Sequence, residues 1–296
     1  TVSGVMKDGT TVSNPQNITW TTALDGAATT PITLSSSWIY KYQNLSIAYA
    51  NWTFAGENGA LAAGQGFTLK GPGTTGSNQN YVFVGKPNNG TITSPVSANN
   101  LNLSGNPYPS AISASEFIKD NLPASSASAN PGTSGALTGS LYFWQHSTTN
   151  NSHVFASYVG GYAAYTLVGG VAPITAPTGT SGNVGNANTV PKDYIPVGQG
   201  FFVQGSTTGG NITFKNSQRA FVKETAPNSQ TMMRNANGTQ DAGDINENTP
   251  LPNSNDTATK IRVGFNNNIN KHRQVLIGFM GQNATDGFDL GYDAAN

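Results

Sequence analysis

Two groups of oxygen-bearing side chains near the end of the sequence could bind a cation. They lie in the stretches DAGDINEN and TDGFDLGYDA and consist of Asp241, Asp244, Asn246 and Glu247, and of Asp286, Asp289 and Asp293. Carboxylate and amide oxygens are the ligands that Ca²⁺ takes in proteins. Neither stretch has the spacing of an EF-hand loop, so each is interpreted either as a calcium site or as a set of solvated turn residues. Calcium is the one cofactor that the sequence suggests.

Aromatic side chains form a second group, because the faces of Trp and Tyr rings stack on sugar rings. The candidate glycan-stacking residues are Trp38, Trp52 and Trp144. Trp38 is predicted to share one strand face with Tyr40 and Tyr42, so that face is either a module core or a stacking platform. The core is favoured, because each module needs large side chains to fill its interior.

The groups that catalysis needs are scarce. The chain has no cysteine, which excludes a thiolate nucleophile, a disulfide and a cysteine zinc site. His146 and His153 flank the stretch STTNNS, but no nearby carboxylate completes a transition-metal site. Glycoside hydrolysis needs two carboxylates, and the stretch 58–192 contains only Glu116 and Asp120, which are expected on the solvated face of one helix. The sequence therefore predicts a protein that is not an enzyme and holds no transition metal.

The composition is that of an extracellular β-protein. Charged residues make up 9% of the chain and the net charge is zero, whereas ordinary soluble domains carry roughly 25% charged residues. Without a basic field the protein is not expected to bind nucleic acid. No apolar run of about 18 residues is present to span a membrane. The first residues are not a signal peptide, so an export signal is expected outside this stretch or already removed.

One phrase, GQGF, occurs twice, at 64–67 and again at 198–201. Each copy is followed by an alternating apolar run and a turn rich in Thr and Gly. A glycine on each side of Gln65 or Gln199 permits a bulge or a close approach of two backbones where a strand enters a sheet. The repeat predicts two related β-modules in tandem.

The fold predicted from the whole pattern is all-β, with tandem β-sandwich modules of jelly-roll type. The first module is placed at 1–98 and the second at 99–226. A polar excursion or linker follows at 227–258. Residues 259–296 are expected to form strands of a further, truncated β segment.

One short helix is expected near 114–121. Ser113 and Glu116 have the spacing of a capping box, and the stretch NLP ends the helix. Phe117 and Ile118 are expected to cover the face of a sheet.

Several motifs carry a resemblance to a known family. The stretches GNPYPSAI, LYFW and GQGFFV follow one another, and KIRVGFNN, RQVLIGF and ATDGFDLGYDA come after them. This order resembles the C-terminal region of cell-surface proteins of the Bacteroidota that the type IX secretion system exports. The resemblance implies a longer protein with a sorting domain beyond this stretch.

The resemblance, together with the composition, leads to the expected function. It is that of a secreted, non-catalytic cell-surface protein with a structural or adhesive role, as in gliding and attachment adhesins. The expected partners are the type IX secretion machinery and surface polysaccharide or other surface proteins. The alternative is a polysaccharide-binding module that is accessory to an enzyme elsewhere in a longer chain.

The resemblance also implies a covalent modification. Secreted proteins of the Bacteroidota carry O-glycans on Ser or Thr that follow Asp and precede an aliphatic residue. Asp256, Thr257 and Ala258 provide that context, and no other Asp of the chain is followed directly by Ser or Thr. Thr257 is therefore the expected O-glycosylation site, with an unmodified loop threonine as the alternative.

Overall fold

The computed structural model is all-β, which confirms the fold class expected from the sequence. It describes residues 1–42, 52–73, 79–146, 160–173, 190–222, 259–266, 272–281 and 284–294. Two short α-helices lie within these ranges, α1 (Val2–Val5) and α2 (Ala114–Lys119). Neither described helix is long and apolar enough to cross a membrane.

The amino-terminal unit is built from short strands in three small sheets. These strands are β1 (Met6–Asp8), β2 (Gln16–Asn17), β3 (Thr19–Thr21), β4 (Thr33–Ser35), β5 (Tyr40–Tyr42), β6 (Trp52–Phe54) and β7 (Tyr81–Phe83). The sheets have the orders β2–β1–β7, β3–β4 and β5–β6, and only the β3–β4 pair is parallel. Its buried core consists of Val2, Met6, Ile18, Ile32, Leu34 and Ile39.

The second unit contains the largest sheet. Its strands are β8 (Ile92–Val96), β9 (Leu101–Gly105), β10 (Ala111–Ser113), β11 (Leu137–His146), β12 (Gly160–Thr166), β13 (Gly169–Val171), β14 (Tyr194–Ile195), β15 (Gly200–Gly205), β16 (Gly210–Phe214) and β17 (Arg219–Ala220). Five of them form an antiparallel sheet in the order β13–β12–β11–β15–β9. The others form the smaller sheets β16–β8 and β14–β10–β17.

Helix α2 covers the inner face of the five-stranded sheet. Phe117 and Ile118 are fully buried, as the sequence predicts. The Phe117 ring lies 5.5 Å from the ring of Phe201 on the sheet and 4.9 Å from that of Phe214 on β16. Burying one such side chain contributes about 1.5–3 kcal/mol, so this aromatic contact holds the helix to both sheets.

The cap of helix α2 is confirmed in part. Ser113 Oγ accepts a hydrogen bond from the backbone N–H of Glu116 at 3.1 Å. The Glu116 carboxylate accepts instead from Lys119 Nζ at 3.0 Å and from Asn130 Nδ2 at 3.2 Å. The helix start is therefore fixed by the serine, and the glutamate ties the helix to the following loop.

Both GQGF phrases begin with the same turn. The backbone N–H of Gln65 donates to Ala62 O at 3.1 Å, and that of Gln199 donates to Pro196 O at 3.3 Å. The glycine before each glutamine has a positive φ, +82° at position 64 and +76° at position 198. Such a φ requires glycine at the third position of a type II turn. The repeated phrase therefore encodes a repeated turn.

Strand β9 runs between the two phrases. On one edge Gly66 N donates to Leu103 O at 2.9 Å, and Gly105 N donates to Gly64 O at 3.1 Å. On the other edge β15, which begins at Gly200, pairs with β9 along its whole length. The two units thus share a strand at their junction, although the sheets around the two phrases differ in size.

The limits of the two units differ from those drawn on the sequence. Strand β8, at 92–96, pairs with β16 and not with a strand of the first unit. Its side chain Val96 belongs to the core of the second unit. The first unit therefore ends before β8 rather than at residue 98.

The carboxyl-terminal segment packs on the second unit. Strands β18 (Thr259–Asn266) and β19 (His272–Phe279) form a hairpin, and Arg262 Nη1 donates to Gly170 O on β13 at 2.8 Å. Gly291 N donates to Thr138 O at 2.8 Å, and Leu167 N donates to Gly291 O at 2.7 Å. In the described residues this segment is an extension of the second unit.

The contacts of strand β9 with both phrases predict different effects for two glycine substitutions. A Cβ on Gly66 would lie 2.5 Å from Ser104 O, whereas a Cβ on Gly200 would lie 3.6 Å from that oxygen. Gly66→Ala should lower the free energy of unfolding by about 2–3 kcal/mol because the backbones must move apart. Gly200→Ala, at the equivalent position of the second phrase, should change it by less than about 0.5 kcal/mol. Urea unfolding of both variants measures this, and equal effects would contradict the shared-strand geometry.

Candidate functional site

The outer face of the five-stranded sheet carries aromatic side chains. Successive residues of a strand point to opposite faces, so Phe201 and Val203 enter the core while Phe202 points outward. Phe202 pairs across the sheet with Tyr142. Trp144 pairs with Tyr162 on β12.

One end of this face is covered by the first unit. The rings of Tyr42 and Trp52 lie 5.1 Å apart on the β5–β6 hairpin, and they lie 5.4 Å and 5.9 Å from the ring of Phe202. All three contacts are edge-to-face, the arrangement that the charge distribution of aromatic rings favours. Tyr42 and Phe202 are buried there.

The rings at the other end of the face are less buried. The ring of Tyr162 lies 5.6 Å from that of Phe202 and 5.0 Å from that of Trp144. Tyr162 is 45% exposed and Trp144 is half-buried. Two of the three candidate stacking residues, Trp52 and Trp144, are thus connected through Phe202 and Tyr162. We call these four residues together with Tyr42 the aromatic ribbon.

Trp38 is not part of the ribbon. It ends a 3-10 turn, Ser36–Trp38, that precedes β5, so the prediction that it shares a strand face with Tyr40 and Tyr42 is wrong. Its indole N–H donates to Leu24 O at 2.7 Å. Lys70 Nζ lies 5.5 Å from the ring centre. Trp38 therefore helps to pack the first unit.

Two residues that connect the ribbon, Phe202 and Tyr162, were not predicted from the sequence. Phe202 follows an inward-facing phenylalanine in GFFVQG, and Tyr162 occupies the outward position of the stretch YAAYT. Alternation places each residue on an outer face. That they meet depends on the order β12–β11–β15, which local patterns do not contain.

The second acidic group, Asp286, Asp289 and Asp293, lies in turns that its own hydrogen bonds stabilise. Asp289 accepts hydrogen bonds from Thr285 N at 2.9 Å and Thr285 Oγ1 at 2.7 Å, and these bonds lower the pKa of Asp289. Asp293 Oδ2 accepts from Asp289 N at 2.8 Å, and Asp286 is exposed. In the part of the chain that the structure describes, no three acidic or histidine side chains are grouped to hold a metal ion.

Other candidates fall outside the described residues. They are Asp241, Asp244, Asn246 and Glu247 of the first acidic group, the O-glycosylation candidate Thr257, and His153. The backbone of His146 ends β11.

The expectation that Asp120 lies on a solvated helix face is wrong. Asp120 is 4% exposed and accepts hydrogen bonds from Lys215 Nζ and Gln218 Nε2, each at 2.9 Å, and from Asn130 Nδ2 at 3.1 Å. Buried carboxylates need such partners to offset the loss of hydration. Asp120 therefore joins the end of α2 to the segment after β16.

The residues of the motif GNPYPSAI have a structural role. Asn106 Nδ2 donates to Ser110 O at 2.8 Å, and Asn106 Oδ1 accepts from Tyr108 N at 3.0 Å. The buried Tyr108 donates through its hydroxyl to Gly90 O at 2.6 Å. Arg219 lies over its ring at 5.4 Å. These residues hold the loop between β9 and β10.

The comparisons with known proteins give one match. A family model described as a domain of unknown function, DUF8693, matches residues 3–296. The chain belongs to the DUF8693 family. No curated protein matches the chain, and neither does any solved structure.

One buried carboxylate of this DUF8693 member, that of Asp8, accepts four hydrogen bonds. Asp8, 1% exposed, accepts from Thr10 N at 2.8 Å, Thr10 Oγ1 at 2.6 Å, Gln79 Nε2 at 3.0 Å and Ile32 N at 3.0 Å. Burial by itself raises the pKa of Asp8, but these bonds outweigh it and the pKa is lowered. Burial and the Asp8 charge raise the pKa of Tyr81 to about 12.

The lowered pKa of Asp8 predicts how the free energy of unfolding changes in acid. Asp8 adds to the free energy of unfolding at pH values above its pKa in the unfolded chain, about 3.9. This contribution is lost as the pH falls through the pKa of Asp8 in the folded protein. Asp8→Asn should lower the free energy of unfolding at pH 7 by about 1–3 kcal/mol, because the NH2 group of the asparagine would face hydrogen-bond donors. The variant should also lose the part of the acid dependence of stability that Asp8 provides. Urea unfolding across the acid range measures both effects.

Asp25→Asn is the matched control. Asp25 is an exposed partner of Lys70 at 2.7 Å, and exposed ion pairs contribute about 0–1 kcal/mol. An acid profile of Asp8→Asn that parallels the unmodified protein would contradict the assignment to Asp8.

Proposed function

We propose that this protein is a secreted, non-catalytic cell-surface component with a structural or adhesive role. The observation that carries the proposal is the aromatic ribbon, which ends in half-exposed and exposed rings on a sheet face. Monomeric soluble proteins rarely leave large apolar groups together at the surface unless they bind something. The absence of cysteine and the scarcity of histidines and acidic residues in the sequence favour a binding role over a catalytic one.

The surface composition supports an extracellular location. Neutral hydrogen-bonding residues replace charged ones, and only 9% of the chain is charged. Export by the type IX secretion system rests on the motifs that resemble Bacteroidota surface proteins. The proposed partners are the secretion machinery and surface polysaccharide or other surface proteins.

A second candidate function is polysaccharide binding, as a module accessory to an enzyme elsewhere in a longer chain. The observation that favours it is the contact between Trp144 and Tyr162, two rings of the kind that stack on sugars.

Surface location tests the main proposal. In intact cells that carry the full-length protein, added protease should degrade it, and disabling type IX secretion should make it resistant. A periplasmic protein provides the control for envelope integrity. The isolated chain should show no hydrolysis of polysaccharide or peptide substrates. A protein that stays inside cells with an active secretion system, or one that turns over a substrate, contradicts the proposal.

A further inference from the structure

Two buried amide side chains at the junction of the two units each have an atom without a hydrogen bond. Gln65 belongs to the first GQGF phrase and Asn102 to strand β9, and they are 9% and 0% exposed. Within the described residues, Gln65 Nε2 and Asn102 Oδ1 have no hydrogen-bond partner. Such atoms are rare in folded proteins, because each loses its hydration on burial. The two atoms therefore point to a bound molecule.

Both side chains lie on the same face of β9. Gln65 is opposite Ser104 in an antiparallel bridge. The backbone bonds on either side of this bridge make it the non-hydrogen-bonded kind of pair, in which the two side chains come closest. Asn102, two residues before Ser104, donates through Nδ2 to Ser104 Oγ at 2.9 Å. Gln65 and Asn102 therefore flank the same buried serine.

The orientation of the Gln65 amide is fixed by its own turn. Gln65 Oε1 accepts a hydrogen bond from Ala62 N at 3.2 Å. Turning the amide over would bring its NH2 group against this N–H, so that two donors would face each other. Nε2 is therefore held as a donor on the side away from Ala62 N.

The chemistry of the two atoms selects a water molecule. Gln65 Nε2 can only donate a hydrogen bond and Asn102 Oδ1 can only accept one, so the bound molecule must do both. A cation would be repelled by the amide N–H, and an anion by the carbonyl oxygen. One water connects polar atoms about 5.5 Å apart, because each of its hydrogen bonds is about 2.8 Å long. That span suits diagonal neighbours on one sheet face.

The second GQGF phrase differs at the equivalent glutamine. Gln199 Nε2 donates to Gly200 O at 2.8 Å, next to its own turn. Gln65 Nε2 makes no such bond to a described residue. The two phrases therefore share a turn but not the bonds of the glutamine amide, and the water site belongs to the phrase that meets β9 through Gly66.

We propose that Gln65, Asn102 and Ser104 bind one structural water molecule that connects the first unit to strand β9. Gln65 Nε2 donates to the water, and the water donates to Asn102 Oδ1. The hydroxyl of Ser104 has a proton to donate and provides the third bond, the number that buried waters commonly make. This site goes beyond the proposed function and does not depend on it.

Crystallography and NMR of the unmodified protein test the site. A high-resolution crystal structure should show one ordered water within about 3.2 Å of both Gln65 Nε2 and Asn102 Oδ1. In solution, the side-chain NH2 protons of Gln65 should give a rotating-frame cross-peak to water with the sign of a dipolar contact rather than of proton exchange.

Asn121 is the internal control, because it is a fully buried amide with all its positions bonded. Its Nδ2 donates to Phe117 O at 2.8 Å and Thr213 O at 3.0 Å. Its Oδ1 accepts from Thr213 N at 2.7 Å and Ser134 Oγ at 2.9 Å. The NH2 group of Asn121 should therefore give no cross-peak to water.

Asn102→Leu tests whether one water serves both amides. Leucine has a similar volume but offers no acceptor, so the cross-peak between Gln65 and water should disappear. Gln199→Met is the matched control in the second phrase and should leave that cross-peak unchanged. Thermal unfolding shows whether each variant is folded, and the measurements on the unmodified protein decide the proposal if Asn102→Leu is not.

Four results would overturn the site. They are no ordered water at Gln65 Nε2 in the crystal, a direct hydrogen bond between the two amides, a Gln65 cross-peak that persists in folded Asn102→Leu, and equal cross-peaks at Gln65 and Asn121. None of them bears on the proposed function, which the location of the full-length protein tests separately.

Discussion

Strand β9 has both hydrogen-bonding edges occupied, and the arrangement of the two units depends on this constraint. One edge bonds the first GQGF phrase through Gly66, and the other pairs with β15, which begins in the second phrase. Such ladders fix the distance and the register of three backbone segments together. The units are therefore joined by shared sheet structure, in which an approach to within 2.5 Å of where a Cβ would stand leaves room only for glycine at position 66.

The register of this joint also determines which side chains meet outside the core. Because Phe202 lies opposite Leu103 on β9, it faces the β5–β6 hairpin and contacts Tyr42 and Trp52. A slip of one residue would exchange Phe202 with Phe201 and turn the core side chain outward. The buried contact between Phe201 and Phe117 opposes that slip. Packing on the inner face thus secures the ribbon on the outer face.

Local patterns predicted the all-β class, the cap at Ser113 and the burial of Phe117, because each depends on residues close together in the chain. They did not predict the ribbon, whose rings come from strands far apart in sequence. The burial of Asp120 was not predicted for the same reason, since its partners Lys215 and Gln218 lie in a distant segment. Trp38 was misplaced because the alternation at Tyr40–Tyr42 does not continue back through the 3-10 turn.

The motifs that carry the family resemblance serve the framework. Asn106 holds its own loop, and the second GQGF phrase forms a turn and a strand. A resemblance based on these motifs therefore reports the architecture more than the ligand. Within the same strand, however, Phe201 fills the core while Phe202 supports the exposed rings. Because successive side chains of a strand face opposite ways, one short stretch fills the core from one face and places an aromatic ring on the other.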